Sequence, residues 1–344
     1  MALLVTGGAG YIGSHACLEL LRAGHDVTVV DNLSNSSPRA LDRVRELAGR
    51  DLTFHKVDLR DAAAMERVFA AGGIDSVMHF AGLKAVGESV QKPLLYWDNN
   101  VNGTIVLLQA MERHGVRTLV FSSSCTVYGD PASVPIREDF PNSAVNPYGM
   151  TKLTIERMLA DLYRADPRWA IALLRYFNPA GADASGRIGE DPNGVPSNLV
   201  PYITQVAIGK QQTVNVYGSD YPTKDGTGVR DYIHVTDLVQ GHLSALNRLR
   251  AHPGLVAYNL GTGVGYSVLE VIRAFERITG KPIPHRIIGR RAGDVAEAWA
   301  DATLARTELG WVTSRGLDEM CADAWRWQTM NPEGYGPQPP TSNP

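Results

Sequence analysis

A chain of 344 residues, 44% hydrophobic and 20% charged, is long enough to fill one large core or two of medium size. A formal net charge of −3, with no basic run, gives no attraction to nucleic acid or to an acidic membrane surface. Cys17, Cys125 and Cys321 are odd in number and far apart, which argues against a disulfide framework and against a metal site made of clustered cysteines.

In chain order, Leu3-Leu4-Val5-Thr6 reads as a short buried strand. The turn Gly7-Gly8-Ala9-Gly10-Tyr11-Ile12-Gly13 follows and leads into a helical pattern through Leu18 and Leu21 that stops at Gly24. Strand, glycine turn and helix together present backbone N–H groups at a helix N-terminus, where amides and dipole can hold a pyrophosphate. The glycines fall at Gly7, Gly10 and Gly13 rather than in the G-x-G-x-x-G spacing. A second strand, 26–30, ends in Asp31, where a carboxylate meets the hydroxyls of an adenosine ribose. That charge repels a 2′-phosphate, and Asn32 rather than an arginine follows it, so NAD is favoured over NADP.

The alternation continues with a strand 52–57 ending at Asp58, a helix near 62–71 and a strand 76–80 ending in Ala81-Gly82. A helix near 99–114 comes next, then a strand 118–121 that runs into Ser122-Ser123-Ser124. Short apolar strands separated by helices of about a dozen residues predict an α/β fold with a doubly wound parallel sheet. Ligands bind at the carboxyl ends of such strands. Asp31, Asp58, Ala81-Gly82 and Ser122-Ser123-Ser124 should therefore line one crevice.

Asn146-Pro147-Tyr148-Gly149-Met150-Thr151-Lys152 is a helix entry, with Asn as a cap and Pro at the first helical position. Tyr148 and Lys152 then share a helix face. At a separation of roughly 6 Å and an effective dielectric of about 20 the ammonium would favour the phenolate by about 3 kcal/mol, or around two pKa units. Such a pair is usually a solvated face, so its context decides. Among the thirteen tyrosines only Tyr148 has a lysine four residues on.

A further strand spans 171–177. From Pro179 to Pro196 periodicity is lost among glycines, prolines and polar residues, which marks a crossing into a second region. A helix is expected at 237–249 and a strand at 257–260. Trp299, Trp311, Trp325 and Trp327 are expected in a second core. From Asn331 the Pro- and Gly-rich tail is expected to be poorly ordered. No basic segment followed by an apolar core opens the sequence, and no run is long and apolar enough to span a bilayer, so a soluble, cytoplasmic protein is expected.

The runs Thr6–Gly13, Ser122-Ser123-Ser124 and Tyr148–Lys152 resemble the extended short-chain dehydrogenase/reductase family. Within it, the runs 79–89, 174–179 and 225–234 resemble the UDP-hexose 4-epimerases, and the likeness extends to about Tyr335. It implies a Rossmann-like fold with a smaller, interleaved substrate domain. Residues 1–177 and 231–261 would form the NAD-binding part, 178–230 and 262–335 the UDP-sugar part, and 336–344 a disordered tail. The activity implied is reversible C4 epimerisation of UDP-glucose and UDP-galactose through a 4-keto sugar, with NAD bound and no metal. Tyr148, Lys152 and Ser124 would be catalytic, the tyrosine moving the proton of the sugar O4. NAD contacts are implied at Gly7, Gly10, Tyr11, Ile12, Gly13, Asp31, Asn32, Asp58, Leu59, Phe80, Ala81, Gly82, Lys84, Asn99, Tyr148, Lys152 and Phe177. Substrate contacts are implied at Lys84, Ser124, Tyr148, Asn178, Asn198, Leu199, Val216, Tyr217, Arg230, Arg291 and Asp294. Related dehydratases place an adjacent Asp-Glu pair where this chain has Ser124-Cys125, which argues against dehydration but leaves a UDP-sugar decarboxylase open. A non-catalytic NAD-binding regulator is the rival from another class. Where epimerases restricted to the plain hexose carry a bulky tyrosine, this chain has Ala298, so UDP-GlcNAc and UDP-GalNAc are expected as further substrates. The resemblance also implies a homodimer, joined through the helices near 99–114 and 148–165.

Overall fold

The computed structural model describes residues 2–291 and 293–336. Seven strands form one parallel sheet in the order Thr53–Lys56, Asp26–Asp31, Ala2–Thr6, Ile74–His79, Thr118–Ser124, Ala170–Tyr176, Leu255–Leu260. Alternate residues of each strand feed two different cores. Leu3, Val5, Val29, Met78, Val120 and Leu174 pack with Leu18, Leu21, Leu238 and Leu246 on one side. Leu4, Val30, Val77, Leu119, Phe121 and Leu173 pack with Met65, Leu107 and Ile155 on the other. Burial on both faces is why these strands read as continuous apolar runs rather than as alternating ones.

The winding reverses at Ala2–Thr6. From that strand the chain passes outward through Asp26–Asp31 to Thr53–Lys56, then crosses back to Ile74–His79 on the other side. The crevice at such a switch point is the natural ligand site of a doubly wound sheet. Gly7 marks it: a Cβ there would lie 2.7 Å from the backbone nitrogen of Ala81, so the turns after the two strands touch.

After Tyr176 the chain leaves the large sheet. Strands Asn178–Ala180, Val229–His234, Gly265–Ser267 and Glu297–Ala298 form a four-stranded sheet, and Val214–Tyr217 pairs with His285–Ile288. The helix Val235–Ala251 and the strand Leu255–Leu260 return to the large sheet in between. A separate core forms under the small strands from Ile203, Val216, Ile272, Phe275 and Met320.

Two expectations are corrected. None of the four tryptophans belongs to that separate core: Trp311 is buried with Leu238 and Leu260 against the large sheet, Trp327 packs with Tyr335, Ala182 and Ala40, and Trp299 and Trp325 are half-exposed. The segment Asn331–Gly336 is folded down rather than poorly ordered. Tyr335 is buried with its ring 4.8 Å from that of Trp327, Arg43 lies over both rings, and the Asn331 amide donates to the carbonyls of Gly186 and Trp327. One aromatic anchor outweighs the Pro and Gly content around it. Gly336 donates to the Glu333 carbonyl, and the rest of the expected tail, 337–344, lies outside the described residues. No helix among the described residues is long and apolar enough to cross a membrane.

Candidate active site at the switch point

The glycine turn is shaped by contacts that exclude side chains. Gly7 has φ +70°, and a Cβ on Gly13 would lie 2.1 Å from the Gly7 oxygen. Gly10 is the N-cap of the helix Tyr11–Arg22 and offers no side-chain cap, so the amides of the first turn face the crevice with the dipole behind them. Asp31 accepts from the nitrogens of Ala9 (3.0 Å) and Leu33 (2.9 Å) and from the hydroxyl of Ser36 (2.8 Å), tying the second strand to the turn. Asn32 donates to Asp58 at 3.0 Å, and Arg60 grips the same carboxylate, holding it well below the usual carboxylate range. Asp31, Asn32 and Asp58 thus gather on one side of the switch point, beside an uncapped helix. This donor and acceptor set fits a dinucleotide.

On the other side, Thr6 Oγ1 donates to His79 Nδ1 at 2.7 Å. His79 Nε2 donates to Thr104 Oγ1 at 2.9 Å, and Thr104 in turn donates to the Asn100 carbonyl at 2.6 Å. Burial pushes His79 down to about 3, with Lys152 adding to it, so the ring is neutral. The Asn100 amide bonds both the nitrogen and the oxygen of Leu83 and donates to Thr151 Oγ1, which donates to the Tyr148 carbonyl. Asn100 is buried in a π-helical turn, Trp97–Asn102, beside the half-buried Asn99, and no spacing in the sequence marks it out.

The helix Pro147–Ala165 begins as its sequence implies, with Asn146 Oδ1 accepting from Gly149 N at 2.9 Å. A Cβ on Gly149 would come within 3.0 Å of the Thr126 oxygen. Glycine therefore lets the first turn close onto the segment after Ser124. Ser124 Oγ accepts from the amide and hydroxyl of Thr126 and lies close enough to the Tyr148 phenol to hold its pKa down against burial. Lys152 Nζ donates to the Ser122 carbonyl at 2.7 Å and lies 4.9 Å from the Phe121 ring centre.

The electrostatics correct the simple estimate from spacing. Tyr148 is pushed up to about 12: burial raises it, Ser124 opposes, and Cys125 adds a little. Burial takes Lys152 down to about 8, with Glu156 opposing. A shared helix face put the two groups near each other, but the ammonium is turned onto Ser122 and both groups are desolvated. Desolvation outweighs their mutual attraction.

In the smaller layer, Arg291 makes two bonds to Asp294 (3.1 and 2.9 Å) and lies 5.3 Å from the Tyr217 ring centre, with Arg230 3.9 Å from the same aspartate. Lys84 and Asn198 meet on Glu190, at 2.9 and 2.7 Å. Ala298 is buried with Phe177, Val127 and Leu153, and Cys125 packs against them. Asn178 is half-buried and pairs with Tyr232. Of the other expected residues, Val216 is fully buried in the core of the small layer, Leu199 is partly buried against that core, and Leu59 is buried beneath the large sheet.

The sequence profile of the NAD dependent epimerase/dehydratase family matches residues 3–261. The chain belongs to this family. The UDP-glucose 4-epimerase of Bacillus subtilis (strain 168) is 61% identical over 335 residues, covering 97% of this chain and 99% of that relative. The crystal structure of UDP-glucose 4-epimerase from Bifidobacterium longum in complex with NAD+ and UDP has a TM-score of 0.94 and 54% identity, covering 97% and 100% of the two chains. The structure of UDP-glucose-4-epimerase from Stenotrophomonas maltophila with bound NAD and formylated UDP-arabinopyranose also has a TM-score of 0.94, at 52% identity, covering 96% and 98%.

Membership of the NAD dependent epimerase/dehydratase family directs attention to buried polar groups that no spacing rule could select. Asp231 is fully buried, and its carboxylate takes the nitrogens of Thr262, Gly263 and Ala300 and the Thr262 hydroxyl. It fastens the strand Val229–His234 to both neighbouring segments, next to Arg230 and Ala298. Tyr176 shares a hydrogen bond with Ser122 Oγ, one residue from Ser123 and two from Ser124. Their partners lie dozens of residues away, so spacing in the sequence reveals neither role.

Proposed function

We propose that this chain is an NAD-dependent isomerase that inverts the C4 configuration of UDP-hexoses, interconverting UDP-glucose and UDP-galactose. The observation that carries this is the meeting of Tyr148, Ser124 and Lys152 at the carboxyl end of the strand Thr118–Ser124, in a chain this similar to UDP-glucose 4-epimerases over its length. Bound NAD supplies a hydride sink and source at C4, together with a positive charge that favours the phenolate.

The residues of the chain do the rest. The amides of Tyr11, Ile12 and Gly13, with Gly7 and Gly10, hold the pyrophosphate, and Asp31, Asn32 and Asp58 take the adenosine end. Leu59, Phe80, Ala81, Gly82, Lys84, Asn99 and Phe177 line the path to the nicotinamide. Tyr148 carries the proton of the sugar O4, and Ser124 orients that oxygen. Lys152 keeps a cation beside both. Arg230 and Arg291 grip the diphosphate with planar, permanently charged forks. Asp294, Tyr217, Asn178, Asn198 and the backbones of Leu199 and Val216 hold the nucleotide. Neither Ser124 nor Cys125 is a carboxylic acid able to protonate a departing hydroxyl, so the keto sugar is returned to an alcohol on either face.

The small Ala298 side chain leaves room for an N-acetyl group at C2, so UDP-GlcNAc and UDP-GalNAc are substrates as well. We assign residues 1–177 and 235–261 to the cofactor part and 178–234 with 262–335 to the sugar part. The inner boundary moves from 231 to 235 because Val229–His234 pairs in the small sheet. The protein works in the cytoplasm as a homodimer. NMR of purified protein mixed with UDP-galactose tests the activity. A mixture of C4 epimers is expected, whereas a lasting 4-keto or pentose product would indicate a dehydratase or decarboxylase, and no change a sensor.

A further inference from the structure

Tyr148, Lys152 and Glu156 succeed one another at four-residue intervals along one face of the helix Pro147–Ala165. Lys152 and Glu156 are both buried. They dock on consecutive residues of the strand that ends in Ser124: Lys152 on the Ser122 carbonyl at 2.7 Å, and Glu156, through Oε1, on the Ser123 hydroxyl at 2.5 Å. Arg175 is the cross-strand partner of Ser123. Its Nε lies 3.0 Å from Glu156 Oε1 and its Nη2 2.7 Å from Oε2, while Nη1 donates to the Tyr128 hydroxyl and the Glu138 carbonyl. We propose that Glu156, anchored by Arg175 and Ser123, is a positioning residue that keeps Lys152 in its cationic form for the reaction.

Stability alone is a weak reason for this arrangement, because a buried ion pair often contributes no more than a well-packed apolar pair of the same volume. Its surroundings give a better one. Among the titratable groups around Lys152, burial raises Tyr148, Tyr176, Tyr128, Tyr96 and Cys125 and lowers His79, so all are uncharged near neutral pH. Glu88 and Asp98, on the segments packed against the helix, are taken by Lys92 and Arg60. Glu138, on the loop beyond Arg175, is raised by burial and accepts from Asn259 N. Glu156 is the buried carboxylate one turn from the lysine, and its charge opposes the desolvation that would neutralise it. Arg175 moderates this: its two bonds to the carboxylate draw it partly away from Lys152.

The inference rests on the epimerase reading, and wild-type activity on UDP-galactose separates the two: inactive wild-type protein would sink that reading first. The test is the alkaline limb of the kcat/KM profile of the NAD-loaded enzyme, which should follow loss of the Lys152 proton. Glu156→Gln alone would leave Arg175 unpaired, so the informative variant is the double change E156Q/R175Q, which strands no charge. Its limb should move to lower pH, with about a tenfold loss relative to wild type at the alkaline end for each unit of movement. R175Q alone frees the carboxylate for Lys152 and should move the limb upward, and E156D should restore the wild-type position. Opposite shifts in variants that fold and retain NAD support the proposal. A uniform loss of activity with an unmoved limb, or shifts in the same direction, would overturn it.

Discussion

The phenol of Tyr148 is the group whose removal is most informative, because it lies beside Ser124 at the strand end and its burial holds its proton tightly. Tyr148→Phe removes the oxygen and leaves the ring in place. Loss of a positioned acid/base group typically costs roughly 10²–10⁴-fold. kcat for UDP-galactose should fall by about that factor while NAD remains bound; full activity in the phenylalanine variant would take Tyr148 out of the mechanism. Ala298 makes a different kind of prediction, about selection. It is buried with Phe177 and Leu153 and pairs in register with Arg230, so a larger side chain there must take space from its neighbours. Ala298→Tyr should cut turnover of UDP-GalNAc at least about tenfold relative to UDP-galactose, the size of effect expected when a pocket loses room for a small group. Equal losses on both sugars, measured by NMR, would show that Ala298 does not form that wall.

The glycine turn is the element on which cofactor binding rests, and it can be tested without touching a polar group. A Cβ on Gly13 meets the backbone oxygen of Gly7 at 2.1 Å and the Gly8 Cα at 2.7 Å, and backbone cannot swing aside as a side-chain end would. Gly13→Ala should lower the melting temperature and yield protein without NAD, seen as a lost absorbance contribution from the cofactor. Gly87→Ala, in the helix Val86–Gln91 with no atom within 4 Å of the new methyl, should be neutral or slightly stabilising. Elements of this kind were the most legible in the sequence. Strands buried on both faces stand out as apolar runs, and a helix entry such as Asn146-Pro147 announces itself by its cap. The helix Pro38–Ala48 lies outside the elements expected from the sequence, although Ala40, Leu41, Val44, Leu47 and Ala48 recur at helical spacing and Leu41, Val44, Leu47 and Ala48 pack in the large core. The two- to four-residue strands of the small layer are silent, since their length gives alternation no room. For the site, spacing placed Tyr148 and Lys152 together but could not say where the ammonium points. That depends on the Ser122 carbonyl, which is brought there by tertiary packing.

At the scale of the whole molecule the distribution of exposed apolar side chains bears on assembly. Val90, Leu94, Leu95, Ile105, Val145 and Met150 are all exposed, and they lie on or beside the helices Val86–Gln91, Pro93–Tyr96, Gly103–Arg113 and Pro147–Ala165, several of which pack on one another. Scattered exposed leucines are ordinary, but a group on neighbouring helices marks an interaction surface. On Gly103–Arg113 the outward residues Ile105, Gln109 and Glu112 follow helical spacing, as do Met150, Arg157, Asp161 and Arg164 on Pro147–Ala165. Each outer face is apolar near its start and polar towards its end. Two copies related by a twofold axis would set these faces together, burying the apolar ends and leaving charges at the rim, as isologous interfaces do. A stable pairing needs roughly 1,200–2,000 Å² in total, which two helices from each copy can supply. The expected outcome is a dimer in light scattering at micromolar concentration, converted to monomer by Ile105→Arg combined with Met150→Arg. The charges in the double variant repel across the axis and cannot be desolvated there. Because Met150 lies two residues from both Tyr148 and Lys152, loss of the partner should also loosen the first turn of the catalytic helix, so the monomer should keep its fold but lose part of its activity. A wild-type protein that is monomeric under these conditions would remove the dimer from the account and leave the apolar faces unexplained.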